Sequence, residues 1–114
     1  MKKYLFVGEQ RSDLAKKMNV TWVDKRLAAA HLSKAVEEIG IDWNECAFLN
    51  VFEDKIEDIM SFEGVVIAMG RKVEKELKKH HIEHQFIYHP AARGSIRNIK
   101  KYKNHVRERI GHII

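Results

Sequence analysis

Residues 65–80, VVIAMGRKVEKELKKH, decide the fold. Val65 to Met69 is a short apolar run without polar alternation, the pattern of a strand covered on both faces. Gly70 ends the run, and Val73 and Leu77 then anchor a charged helix from Arg71 to His80. A strand feeding straight into an amphipathic helix is half of a parallel crossover.

The same unit recurs in both directions. YLFV (residues 4–7), AFLNV (47–51) and QFIY (85–88) read as three more strands. A helix is expected from Asp24 to Ile39, where Leu27, His31, Leu32, Ala35, Val36 and Ile39 share a stripe before Gly40 ends it. Another is expected from Asp54 to Phe62, with Ile56, Ile59 and Met60 inward and Glu53 and Asp54 favourable at its N-terminus. The last runs from Ser95 to Ile110, with Ile99, Tyr102, Val106 and Ile110 inward and Arg97, Lys100, Lys101 and Arg107 largely outward. No repeat, low-complexity tract or linker interrupts the alternation. The expectation is therefore an α/β domain spanning residues 1–114, a three-layer αβα sandwich around a four-stranded, mostly parallel central sheet with right-handed crossovers.

With 114 residues, 45% hydrophobic and 32% charged, the chain has the composition of a single globular domain. No apolar run approaches the roughly 18 residues of a membrane span, and the opening MKKYLFVGEQRSD is too short for a signal peptide. A cytoplasmic monomer without a membrane partner is expected. Cys46 is the one cysteine, which excludes an internal disulfide and reads as core filling. The formal charge of +5 is uneven: from Ala91 to Ile114, seven Lys and Arg face one Glu. That basic tail suits a polyanion such as nucleic acid, and equally a solvated helix face.

In a parallel sheet, ligands bind beyond the carboxyl ends of the strands. Four segments should meet there: GEQRS after the first strand, Asn50 at the end of the second, GRK after the third, and HPAARGS after the fourth. Gly8 lets a ligand approach the backbone and Glu9 can polarise water, although the pair reads first as a glycine turn with a solvent-facing carboxylate. Asn50 places an amide in an apolar strand. Its adjacent acceptor and donor match a base edge that offers N–H beside C=O, as uracil and thymine do, or they are satisfied by neighbouring backbone. Trp22 offers a face on which a base stacks, or pins a helix to the sheet.

His89, followed by the chain's one proline, can donate to negative charge developing on a leaving group, or cap nearby carbonyls. Arg93 and Gly94 would occupy the loop tip, able to enter a groove or to replace an extruded nucleotide. Ser95 would cap the last helix, whose N–H groups suit a phosphate. HHIEH (residues 80–84) does not make a metal site, because His84 belongs near a strand and no further ligand converges on it. No serine sits in a nucleophile elbow, and GEQRSDLA lacks the second glycine and lysine of a phosphate-binding P-loop. No metal and no cofactor are expected.

Taken in order, FVGEQ, TW, FLNV and HPAARGS resemble the uracil-DNA glycosylase superfamily across nearly the whole chain, with the iron–sulfur branch, family four, the nearest in pattern. The resemblance implies that Gly8, Glu9 and the Gln10 backbone shape a base pocket, that Trp22 stacks on the base and Asn50 reads it, and that His89 acts on the leaving base. Arg93 falls in the loop that enters DNA; the loop tip at Gly94, the helix cap at Ser95 and the basic helix at Arg97 and Lys101 give the further DNA contacts expected from the residues themselves. Gln10-Arg11-Ser12 replaces the proline and glycine of the family's first loop, the cluster cysteines are absent, Ala15 and Lys16 stand where an acidic pair is usual, and members are longer.

An N-glycosidic bond breaks with positive charge on the sugar and negative charge on the base, so a carboxylate and an imidazole donor are the groups it needs. The implied function is a monofunctional hydrolase that flips deoxyuridine from DNA and releases uracil, as in base excision repair. The alternatives are a non-catalytic nucleic-acid-binding module and a glycosylase for another modified base.

Overall fold

The structure, a computed structural model, describes residues 2–25, 27–91 and 98–113. Four strands, β1 (Tyr4–Gly8), β2 (Cys46–Asn50), β3 (Val65–Met69) and β4 (Gln85–Ile87), alternate with helices α1 (Asp13–Met18), α2 (Ala28–Glu38), α3 (Ile56–Met60), α4 (Arg71–Lys79) and α5 (Ile99–Ile110). The sheet is entirely parallel in the order β2-β1-β3-β4. Strands and helices in this alternation make an α/β chain compatible with the three-layer order. Contacts divide it into two compact units, Met1–Gln10 with Asn44–His89, and Arg11–Trp43 with Pro90–Ile114.

The first unit holds the whole sheet with α3 and α4. Leu5 and Val7 of β1 and Val66 and Ala68 of β3 pack on one face with Ile59 of α3 and Val73 and Leu77 of α4. Tyr4 and Phe6, whose side chains alternate to the opposite face, are buried as well. Burial on both faces is why the strands read as unbroken apolar runs. At the strand entrance, the Val65 N–H donates to the Lys3 carbonyl at 3.0 Å. A Cβ on neighbouring Gly64 would lie 2.5 Å from that carbonyl oxygen and 2.7 Å from the Phe62 ring. Gly64→Ala is therefore expected to destabilise the protein by about 1–3 kcal/mol through overpacking, read as a lowered urea midpoint at unchanged slope.

The second unit is built from α1, α2 and α5. Leu32, Ala35 and Val36 of α2 are buried, as are Tyr102, Val106 and Ile110 of α5. Glu38, the last residue of α2, joins it to the middle of α5, accepting from Arg107 at 2.8 Å and pairing with Lys103 at 3.1 Å. Its hydrogen bonds to Lys103 and then Arg107 hold the carboxyl below its usual range.

Several expected boundaries move, each for a local reason. The helix expected from Asp24 begins at Ala28, because the Asp24 carboxylate instead accepts from the Thr21 N–H at 2.6 Å and closes a 3₁₀ turn over Trp22–Asp24. Lys25 (φ 55°) and Leu27 (φ 56°) then take left-handed backbone that interrupts the path. Leu27 is consequently 39% exposed rather than inward. The last helix starts at Ile99, with the Asn98 side chain accepting from Lys100 and Lys101 N–H at 3.0 and 3.3 Å. Asn98 holds the capping position expected of Ser95.

Met60 is exposed, not inward, since α3 is limited to five residues and Ile59 alone is fully buried. Asp54 does not lead that helix; its carboxylate accepts from the Asn50 N–H at 2.7 Å. Helix α1, unforeseen from apolar spacing, has no buried residue and stands on its ends: Ser12 caps it and Asn19 (φ 54°) closes it.

Candidate functional site

The strand order sets the site's geometry. From β1 the chain moves outward to β2 on one side and then, through β3, to β4 on the other, so the direction of winding changes between β1 and β3. In parallel sheets such a switch point is where a ligand crevice forms, at the carboxyl ends of the two strands. Gly8 and Glu9 leave β1 there, and Met69 passes into Gly70 beside them.

On one side of the crevice, the β1–β2 ladder runs past the strand ends. The Val51 N–H donates to the Gly8 carbonyl at 2.8 Å, and the Phe52 N–H to the Glu9 carbonyl at 3.0 Å. Glu9 is thereby fixed at its backbone and half-buried, whereas Gln10 is exposed. Gly8 lies opposite Asn50 in the register. Asn50 closes a turn with its backbone, its carbonyl accepting from Asp54 N–H at 2.8 Å, and its side-chain Nδ2 donates to Glu53 Oε1 at 3.2 Å. The side-chain donor thus goes to the Glu53 carboxylate of the same turn, where the alternative to base reading expected neighbouring backbone.

On the other side, the Gly70 N–H donates to the Ile87 carbonyl at 2.9 Å and extends the β3–β4 ladder. Gly70 has φ 102°, a conformation that side chains rarely adopt, and a Cβ there would lie 3.8 Å from the His89 Cβ. His89 is half-buried. Burial depresses its imidazole pKa from the ordinary 6.5, outweighing the Glu9 carboxylate, which acts in the opposite direction. Burial thus favours the neutral ring, against the pull of the Glu9 charge.

The first unit therefore brings Gly8, Glu9, Asn50 and His89 to one edge of one sheet. At about 4.8 Å between strands, the axes of β2 and β4 stand about 14 Å apart, with β1 and β3 between them. Trp22 and Lys101 belong to the second unit. Trp22 is half-buried at the start of its 3₁₀ turn, and Lys101 is exposed on α5. Arg93, Gly94, Ser95 and Arg97 lie outside the described residues.

Sequence spacing had marked Gly70 as part of a loop without giving it a role; its signal was a glycine directly between an apolar run and a helix. No group of three or more His, Cys, Asp or Glu residues able to hold a metal occurs among the described residues. His84 illustrates why: its Nδ1 lies 2.8 Å from the Ile82 carbonyl and its Nε2 3.3 Å from Glu74 Oε2, a bridge between α4 and the start of β4. No described helix is long and apolar enough to cross a membrane.

Comparison with family models, curated proteins and solved structures finds no match for the chain.

Proposed function

We propose that the chain is a monofunctional DNA glycosylase that flips deoxyuridine and hydrolyses its N-glycosidic bond. What supports this reading is the gathering of Gly8, Glu9, Asn50 and His89 at one edge of the sheet, beside the β1–β3 switch point. Bond cleavage places positive charge on the sugar and negative charge on the base. A carboxylate favours the first, and an imidazole N–H donating to the base favours the second without having to lose its proton. Asn50, fixed at the end of β2 by Asp54, supplies the amide for the base edge. For Trp22 and Arg93 the family resemblance alone supplies the roles, a stacking face and a DNA contact. A uracil in place of a paired base costs at most a few kcal/mol to extrude.

Incubation with a uracil-containing oligonucleotide, followed by alkali, is expected to cut the strand at the uracil. Intact strands at large protein excess would remove the hydrolase and leave the non-catalytic module, for which Ala15 and Lys16, standing in α1 where the family has an acidic pair, speak. The pH profile follows from the imidazole. Excision should be level through neutral pH and fall on the acid side, below His89's depressed pKa, as the ring protonates. Stability shifts in the same direction: the unfolded chain binds this proton first, so the contribution is complete above the ordinary 6.5 and is lost as pH falls from there through the depressed value. His89→Asn should flatten both dependences.

A further inference from the structure

At the outer corner of the same edge, the Arg71 guanidinium lies 4.3 Å from the Phe86 ring centroid and 5.8 Å from that of Tyr88. The two rings meet edge to face at 5.4 Å. Yet the Arg71 side chain remains 70% exposed and Tyr88 38% exposed. Gly70 and His89 are the chain neighbours of this cluster, which places it directly beside the crevice.

Stacking uses the face of a guanidinium and keeps its edge for hydrogen bonds. One donor goes to Glu74 Oε1 at 3.2 Å, which steadies the group from the helix side. From that cation, α4 continues as RKVEKELKK, in which five cations outnumber Glu74 and Glu76. Arg71, Lys72, Lys75, Lys78 and Lys79 are all exposed. Arg71, Lys75 and Lys78 recur about one helical turn apart, a stripe leading away from the aromatic corner.

We infer that this corner and the basic stripe form a second nucleic-acid contact, a stacking platform with a phosphate track for unpaired nucleotides flanking the one in the crevice. The inference rests on reading the carboxyl edge as a nucleic-acid site. Single strands are the class that fits, because their bases present faces to an aromatic ring while a duplex keeps them stacked. The cations follow the backbone whatever its sequence.

The test compares two fluorescein-labelled probes of about 12 nucleotides, oligothymidylate and a tract of abasic spacers, by anisotropy across a salt series. The protein is expected to prefer oligothymidylate by about tenfold, and Tyr88→Ala to abolish that preference. Arg71→Ala and Lys75→Ala should each lower the slope of log affinity against log salt by about 0.7. Lys75 is exposed on the helix surface, so its variant reads the track without disturbing packing; Arg71→Lys retains the charge and should lose part of the preference with the planar stack. Equal binding of the two probes, or an unchanged preference in Tyr88→Ala, overturns the platform and leaves a general polyanion surface. Neither probe contains uracil. Absent excision with the preference intact would sink the glycosylase reading alone, and excision without the preference would sink this inference alone.

Discussion

Asn50→Ala is expected to lower uracil excision by about 100- to 1,000-fold while binding to uracil-free DNA stays within about twofold. The magnitude follows from what the amide does in the proposed complex: it pairs with the polar edge of an extruded base, where water is excluded and a lost partner leaves that edge unsatisfied. The structure makes the substitution a fair test. The turn at the end of β2 is closed by Asn50's backbone, through its N–H to Asp54 Oδ2 at 2.7 Å and its carbonyl from Asp54 N–H at 2.8 Å. Truncating the side chain removes its 3.2 Å bond to Glu53 and leaves those backbone bonds in place. Unchanged excision would reduce Asn50 to a component of that turn.

Tyr102→Ala should destabilise the protein by about 3–5 kcal/mol, the range for emptying the space of a large aromatic. Tyr102 is fully buried and heads the largest side chains of the core, with Val106 and Ile110 continuing its stripe on α5. Burial pushes its phenol pKa far up, so the ring stays uncharged throughout any usable pH range. Against a total of about 5–15 kcal/mol for a domain, this loss approaches unfolding. Urea denaturation measures it, and Tyr102→Phe separates ring volume from hydroxyl. A cost below about 1 kcal/mol for the alanine variant would mean that α5 is not held by this residue.

The sheet was legible in the sequence because its central strands β1 and β3 are buried on both faces, which writes them as uninterrupted apolar runs. Val65–Met69 matches the expected strand at both ends. Helices were legible only where packing demands a stripe, as in Val73 and Leu77 of α4. Helix α1 escaped because Leu14 and Met18 are exposed, and its stability comes from Ser12 and Asn19, short polar residues common in any loop. The start of α2 was misplaced because a single carboxylate, Asp24, can begin a helix or close a turn behind it, and the left-handed backbone at Lys25 and Leu27 carries no glycine to announce it.

For the candidate site, the carboxyl-edge rule gathered Gly8, Glu9, Asn50 and His89 from three distant segments. It said nothing of Gly70's place beside His89, since two segments brought together by the fold have no one-dimensional signature. Nor did composition reveal the cations on α4. Counted over residues 1–90, their charge disappears among the acids of other elements, although they share one helix.

The strand order also bears on how the chain is made. β1 is synthesised first yet lies in the interior of the sheet, with partners that begin at Cys46 and Val65. At about 5–20 residues per second, a ribosome needs several seconds after β1 emerges to deliver β3. Throughout that interval YLFVG is an apolar segment with open hydrogen-bonding edges, the condition under which nascent chains engage chaperones or one another.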